Sequence, residues 1–181
     1  NLIGGQVFAG ATRLLNIASG YNTSIFYGDA VTLVSTGTIQ KDTGTTTATP
    51  VGTFLGCSYV NSQGQTIFTQ YFPANTTAPT GTTITAYAVS YTHLTLPTIT
   101  AYVADDPDQL FKVALVAGTT ADDVTSGLLV AYLGRTIIGS NVQIVQNSGS
   151  TVTGDSKIGV YSAAGATTTA TLPLRVIDVV P

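Results

Sequence analysis

The chain has 181 residues, of which 44% are hydrophobic and 8% charged, with a formal net charge of −3. This length and apolar content predict a protein that buries a core. Its six basic residues form no run of Lys or Arg, which excludes a typical nucleic-acid-binding surface. No stretch approaches about 18 consecutive apolar residues, so we predict no membrane-spanning helix. Thr fills 33 positions, and this β-branched residue favours strands.

The N-terminal part is predicted to be extended rather than helical. Residues 1–20 contain scattered apolar residues and three glycines in the first ten positions, so we interpret them as an N-terminal arm. Residues 21–181 are interpreted as one β-rich body, in which a sub-division near residues 117–135 stays open. Within this body, residues 30–34 read as a strand, and residues 37–41 are its candidate hairpin partner.

The clearest local signal in the sequence is a β-hairpin. Residues 51–60 and 65–72 are rich in β-branched and aromatic side chains, and Asn61-Ser62-Gln63-Gly64 separates them as a four-residue turn. The single cysteine, Cys57, lies in the first of these strands and cannot form an internal disulfide. We expect it to be a small buried core residue.

An internal repeat follows the hairpin. The sequence Thr-Ile-Thr-Ala-Tyr occurs at residues 83–87 and again at residues 98–102. Residues 90–98 resemble a peptide that arises when sequencing-library adapter DNA is translated. We therefore interpret residues 88–102 as an insertion foreign to the natural protein, and the alternative is a genuine extra hairpin.

The second half of the chain predicts short strands and one helix. Residues 98–104 and 110–116 are predicted as a strand pair joined by an aspartate-rich turn at residues 105–108, for which calcium binding is the weaker interpretation. Residues 121–133 are the only credible helix. The remaining predicted strands are residues 136–138, 141–145, 157–161 and 171–180. The predicted fold class is all-β: a small β-barrel or sandwich-like body of about ten short strands, with the N-terminal arm and at most one short helix.

The sequence offers little catalytic chemistry. Its only histidine, His93, lies inside the suspected insertion, and all nine acidic residues are Asp. A catalytic triad, a histidine metal site and a histidine proton shuttle therefore all lack their central residue. We predict that the protein is not an enzyme and that it has no cofactor, no catalytic residue and no metal site.

Aromatic residues are the best candidates for an interface. Tyr near the end of a strand can bury one ring face while its hydroxyl stays hydrogen-bonded, although simple strand packing explains such residues equally well. The candidate interface residues are these aromatic residues together with one arginine: Phe8, Arg13, Tyr21, Phe26, Tyr27, Tyr71 and Phe72.

Several stretches, in order and spacing, resemble a family of small capsid decoration (cement) proteins of tailed bacteriophages. They are residues 10–12, 19–20, 25–33, 50–56, 102–113 and 170–177, of which Tyr-Val-Ala-Asp-Asp-Pro-Asp-Gln-Leu-Phe-Lys-Val at 102–113 matches best. The chain departs from the family's pattern at residues 88–102, which interrupt the strand before Asp105.

The resemblance implies a virion structural protein on the outer capsid surface, where it reinforces contacts between major capsid subunits. It implies the major capsid protein as partner, together with a homo-oligomer that is either a dimer or a trimer, and no nucleic acid or membrane. The alternative is a carbohydrate-binding fibre or adhesin module. The absence of Trp, and of aromatic residues clustered with carboxylates, counts against that alternative.

Overall fold

The computed structural model describes residues 12–44, 46–78, 99–106, 109–116, 137–161 and 172–179. These residues form β-strands joined by turns, and no helix long and apolar enough to cross a membrane occurs among them. The predicted helix at residues 121–133 lies outside this part of the chain. The ten strands are β1 (Arg13–Ile17), β2 (Ala30–Leu33), β3 (Thr38–Lys41), β4 (Gly52–Val60), β5 (Thr66–Thr69), β6 (Ile99–Ala104), β7 (Ala114–Val116), β8 (Asn141–Val145), β9 (Gly159–Tyr161) and β10 (Leu174–Arg175).

Five of the strands close into a barrel. The first sheet runs β2-β3-β1-β6-β4-β5, and an additional pairing of β2 with β4 joins its ends into a ring. Strands β1 and β3 are parallel, whereas the other pairs in the ring are antiparallel. Strand β5 lies outside the ring and pairs with β4. The prediction of an all-β body with a small barrel is confirmed.

The barrel can close because β4 is long and irregular. Along one edge, its first residues pair with β2 and its last residues pair with β5. Along the other edge, residues 53–58 pair with β6. The register against β6 shifts between Phe54 and Gly56, which marks a β-bulge, and bulges bend and twist the strand that carries them. Gly56 has a φ of +136°, which side chains rarely tolerate, and a Cβ atom there would lie 3.0 Å from the carbonyl oxygen of Thr69.

Inward-facing side chains fill the barrel with apolar atoms. Alternation along each strand places every second residue inside. The fully buried residues of this core include Ile17, Ile25, Val31, Ile39, Phe54, Phe72, Ile99 and Val103. Cys57 belongs to the same cluster, so the prediction that it is a core residue is confirmed. Burial raises the pKa of its thiol, while a hydrogen bond with the Thr69 hydroxyl acts in the opposite direction.

The N-terminal strand joins the barrel itself. Residues 13–17 are extended, as expected for the arm, but each of the five pairs with a residue of β6. Ile17 is 1% exposed, and Leu15 packs against the same core. The sequence hid this strand because Leu14 and Leu15 are adjacent, which blurs the alternation of apolar and polar residues.

The C-terminal strands form a second sheet, in the order β10-β8-β9-β7. The prediction that residues 98–104 pair with residues 110–116 is wrong, because β6 pairs with β1 and β4, and β7 pairs with β9. The predicted strand at residues 136–138 is also wrong for residues 137 and 138, the part that the structure describes. Ser140 donates its N–H to the carbonyl of Ile137, closing a turn. In the described part of the last predicted strand, residues 172–179, Leu174–Arg175 form a strand that pairs with β8.

The internal repeat makes a deletion testable. Removing residues 88–102 would place Ile-Thr-Ala-Tyr of residues 84–87 directly before Val103, so the sequence of β6 would be unchanged. Ala78 donates its N–H to the Ser19 hydroxyl at 3.1 Å. Ser19 lies two residues after Ile17, and Ile17 pairs with Ile99, the first residue of β6. Residues 79–83 can bridge this short gap, because five residues with their flanking bonds span roughly 20 Å.

We therefore expect the deletion variant to fold with an unchanged or higher midpoint of thermal unfolding, measured by circular dichroism. A matched deletion of 15 residues that removes β4, residues 46–60, serves as the control and is expected to prevent folding, because β4 pairs with β2, β5 and β6. Failure of the first variant to fold would contradict the insertion hypothesis and favour a genuine hairpin.

Candidate functional site

The candidate site lies on the outer face of β1, β6, β4 and β5. Leu14 pairs with Tyr102, which in turn lies opposite Gly56. One row further along, Ser58 lies opposite Phe68. These side chains face outward because their sequence neighbours, among them Cys57 and Ala101, face the core.

An open depression occupies the middle of this face, and we call it the outer-face depression. It arises beside Gly56, which contributes no side chain to fill the space, and it has a volume of about 530 Å³. The residues that line it include Tyr27, Leu55, Phe68, Gln70 and Tyr102. Its wide mouth leaves room for a surface to dock and does not enclose a small molecule.

Phe68 is the most exposed hydrophobic residue of the depression. It is 72% exposed, and Tyr27, which also lines the depression, is 45% exposed. Complete burial of such a side chain is worth about 1.5–3 kcal/mol relative to leaving it in water. The fold leaves most of this free energy unused at Phe68, so a partner that covers the ring would gain it.

The surroundings of the depression carry almost no charge. Residues 43–104 include no Asp, Glu, Lys or Arg. An ion pair joins Arg13 to Asp105 at 2.8 Å, where β1 begins and β6 ends. On the other side, Gln70 donates from Nε2 to the Asp155 carboxylate at 2.8 Å. Hydroxyl, amide and aromatic groups therefore dominate the site.

Tyr27 is held at the depression by the segment that follows β8. Its N–H donates to the carbonyl of Gly154 at 2.9 Å, and its own carbonyl accepts from the N–H of Ser156 at 2.9 Å. This bridge joins the barrel to residues 150–156. The position of Tyr27 therefore depends on how firmly that segment is attached.

A buried cluster, which we call the Asp29 clamp, attaches the segment. Asp29 is fully buried, and its carboxylate lies 2.9 Å from Lys41 Nζ. The carboxylate also accepts hydrogen bonds from the backbone N–H of Phe26 and from the hydroxyl of Ser156. Since Phe26, Asp29 and Lys41 belong to the barrel and Ser156 to the C-terminal part, the clamp links the two.

Phe26 completes the clamp by packing. Its ring stacks on Tyr71 with centroids 5.4 Å apart, and Lys41 Nζ lies 5.8 Å from its centroid. Gly149 lies directly against the ring, where a Cβ atom would lie 2.3 Å from Phe26 Cγ. A side chain at position 149 would therefore push the segment away from the barrel.

The structure distributes the predicted interface residues over several environments. Tyr27 lies at the depression. Arg13 has a side chain that is 64% exposed, but it lies at the start of β1 on the side that carries Leu15 and Ile17, not on the outer face. Phe26 is 6% exposed within the clamp. Phe8 lies outside the described residues.

The other three predicted residues pack within the molecule. Phe72 is completely buried in the core, and Tyr21 stacks against it with ring centroids 6.2 Å apart. The Tyr21 hydroxyl also accepts a hydrogen bond from the backbone of Lys41. Tyr71 is partly buried beneath Phe26. Tyr27 is thus the predicted residue that a partner can reach at the outer-face depression.

Sequence reasoning missed Phe68, Tyr102 and Leu55. A signal for Phe68 was present, because Ile67 and Phe68 are adjacent in a strand and must point to opposite faces. Once Cys57 is placed inside, the hairpin register pairs it with Thr69 and turns Phe68 outward. No comparable signal existed for Leu55, since its position depends on the bulge.

No group of three or more His, Cys, Asp or Glu that could hold a metal ion occurs among the described residues. Comparison of the chain with protein-family models, curated proteins and solved structures finds no significant match. These comparisons therefore give no indication of what the outer face binds.

Proposed function

We propose that the chain is a virion structural protein of a tailed bacteriophage. In this role it binds the outer surface of the capsid and stabilises contacts between major capsid subunits. The observation that carries the proposal is the outer-face depression, which is shallow and uncharged and contains the 72% exposed Phe68. The ordered sequence resemblance to decoration proteins supplies the capsid as the partner.

The shape of the site favours a protein surface over a small molecule. Small-molecule pockets bury most of their ligand, which an open depression cannot do. Protein interfaces, by contrast, concentrate their binding energy in a few aromatic side chains near the centre of the contact. Phe68 and Tyr27, which both line the depression, are suited to act as such anchors.

The lack of charge also fits this role. Salt screens exposed charges, so an interface that depends on them weakens as the ionic strength rises. Residues 43–104 have no charged side chain that could be screened. The residues that line the depression are all uncharged, so contacts with them are not weakened by salt. Many copies on one capsid hold neighbouring subunits together by avidity. The role needs no catalytic group and no cofactor.

Binding to capsids that lack the protein tests the proposal. We expect the wild-type chain to co-sediment with expanded capsids and to raise their temperature of disassembly. Phe68→Ala is expected to weaken binding about tenfold or more, because truncating a central aromatic anchor costs at least about 1–2 kcal/mol.

Phe111→Ala is the matched control, since Phe111 is 49% exposed but lies outside the depression. It should bind like the wild type. Failure of the folded wild-type chain to bind capsids would overturn the proposal. Equal losses of capsid affinity in Phe68→Ala and Phe111→Ala would contradict the placement of the contact at the depression.

Carbohydrate binding is the second candidate, and one observation favours it. Tyr27, Phe68 and Tyr102 are far apart in the sequence but surround one depression, together with the amide of Gln70. Aromatic faces and amides are groups that sugars can use for stacking and hydrogen bonding. A glycan-array signal that Phe68→Ala abolishes, without any binding to capsids, would select this function.

A further inference from the structure

Strand β5 has one free edge. The first sheet ends at β5, which pairs with β4 on one side and, within the described ranges, with no strand on the other. We infer that this edge pairs with β5 of a second copy of the chain, forming a two-fold symmetric dimer. The inference concerns the isolated chain and does not rest on the proposed binding to capsids.

The hydrogen-bond pattern of the hairpin shows which backbone groups face the free edge. Asn61 donates its N–H to the carbonyl of Gln65 at 2.9 Å, so these two residues form a hydrogen-bonded pair. Hydrogen-bonded and non-hydrogen-bonded pairs alternate along an antiparallel ladder. Ile67 therefore bonds towards β4, while the N–H and C=O groups of Thr66 and Phe68 point away from it.

This edge lacks the features that prevent strands from pairing. Natural edge strands are commonly protected by Lys or other charges, by Pro, or by a bulge. Residues 66–69 are Thr-Ile-Phe-Thr, and the only bulge on this hairpin lies on β4 near Gly56. An unprotected edge exposes unpaired backbone groups that a further strand can satisfy.

The charge distribution favours a second copy as that strand. A two-fold contact places each residue near its own counterpart, so any charge on the edge would repel itself. The whole segment from residue 43 to residue 104 has no Asp, Glu, Lys or Arg. Self-pairing of β5 therefore brings no like charges together.

Geometry limits the assembly to two chains. When Thr66 pairs with Phe68 of the second copy and the reverse pair also forms, four backbone hydrogen bonds connect the strands, with Ile67 on the two-fold axis. Each chain contributes its free β5 edge to this two-fold contact, so the contact closes at a dimer and does not produce a trimer. The Phe68 ring then packs beside Thr66 of the other copy, which covers part of its exposed surface.

Sedimentation of the purified chain tests the inference. At about 100 µM, above the micromolar dissociation constants expected for a small interface, we expect the wild type to have the mass of two chains. Thr66→Lys places a charge opposite the second copy and is expected to raise the dissociation constant at least about tenfold. Gln63→Lys, in the exposed turn of the same hairpin, is the matched control and should remain dimeric.

A disulfide trap provides a second measurement in a chain close to the wild type. In a Cys57→Ala background, Ile67→Cys places two thiols opposite each other across the axis. The non-hydrogen-bonded position has a Cα separation of about 4.5 Å, which a disulfide can span. Oxidation should give a covalent dimer, whereas Gln63→Cys in the same background should not.

A wild-type chain that is monomeric at this concentration overturns the inference, as does a dimer that Thr66→Lys leaves intact. Absence of the covalent dimer with Ile67→Cys likewise overturns it. Failure of the wild-type chain to bind capsids bears on the proposed function only, because the dimer is measured without capsids.

Discussion

Replacing Lys41 with methionine is expected to lower the free energy of unfolding by about 3–5 kcal/mol, because it leaves a buried carboxylate without its counter-ion. Asp29 is completely buried, and the Lys41 side chain is only 9% exposed, with Nζ 2.9 Å from the carboxylate. Methionine retains most of the volume of the lysine stem, so the loss of charge dominates the effect. Urea denaturation followed by circular dichroism measures the change.

Two controls separate the ion pair from other effects. The double variant Asp29→Asn with Lys41→Met is expected to recover part of the loss, because no charge is left unpaired. Arg13→Ala breaks the exposed pair with Asp105 and is expected to cost less than about 1 kcal/mol. If Lys41→Met costs no more than Arg13→Ala, the Asp29 clamp does not stabilise the fold.

Truncation of Phe72 is expected to have a similarly large effect. Phe72→Ala should destabilise the protein by about 3–5 kcal/mol, since it leaves a cavity in the barrel core. Phe72 is 0% exposed and packs against Tyr21. The midpoint of thermal unfolding and the free energy from urea denaturation both report the loss.

Phe68→Ala is the matched comparison, because it removes the same ring from the protein surface. Its effect on stability should stay within about 0.5 kcal/mol, as is usual for exposed positions. The same substitution is expected to weaken capsid binding. Equal destabilisation by the two variants would contradict the exposure of Phe68 and, with it, the outer-face depression as a docking site.

The local parts of the fold could be predicted from the sequence. The β4–β5 hairpin follows from two β-branched and aromatic runs around Asn61-Ser62-Gln63-Gly64, and β2 with β3 follows from a shorter version of the same pattern. The position of Cys57 in an apolar strand was enough to predict its burial. Each of these features depends on neighbours within a few residues, so local propensity and turn chemistry determine it.

The long-range pairings could not be predicted in the same way. Strand β7 was expected to pair with β6 because a turn separates them, yet it pairs with β9 in parallel, some 45 residues later in the chain. Such pairing depends on the sum of many weak contacts, and no single residue signals it. The role of β1 was hidden for a related reason, since only its partner β6 reveals which of its leucines faces inward.

The sequence by itself determined that the chain is β-rich, that it has one histidine and no Trp, and that residues 43–104 contain no Asp, Glu, Lys or Arg. Only the tertiary structure decided that Tyr27, Phe68 and Tyr102 surround one depression and that Asp29 is neutralised by Lys41. The physical reason is that composition and alternation limit what each segment can form. Barrel closure and strand register then select which side chains meet and which remain exposed.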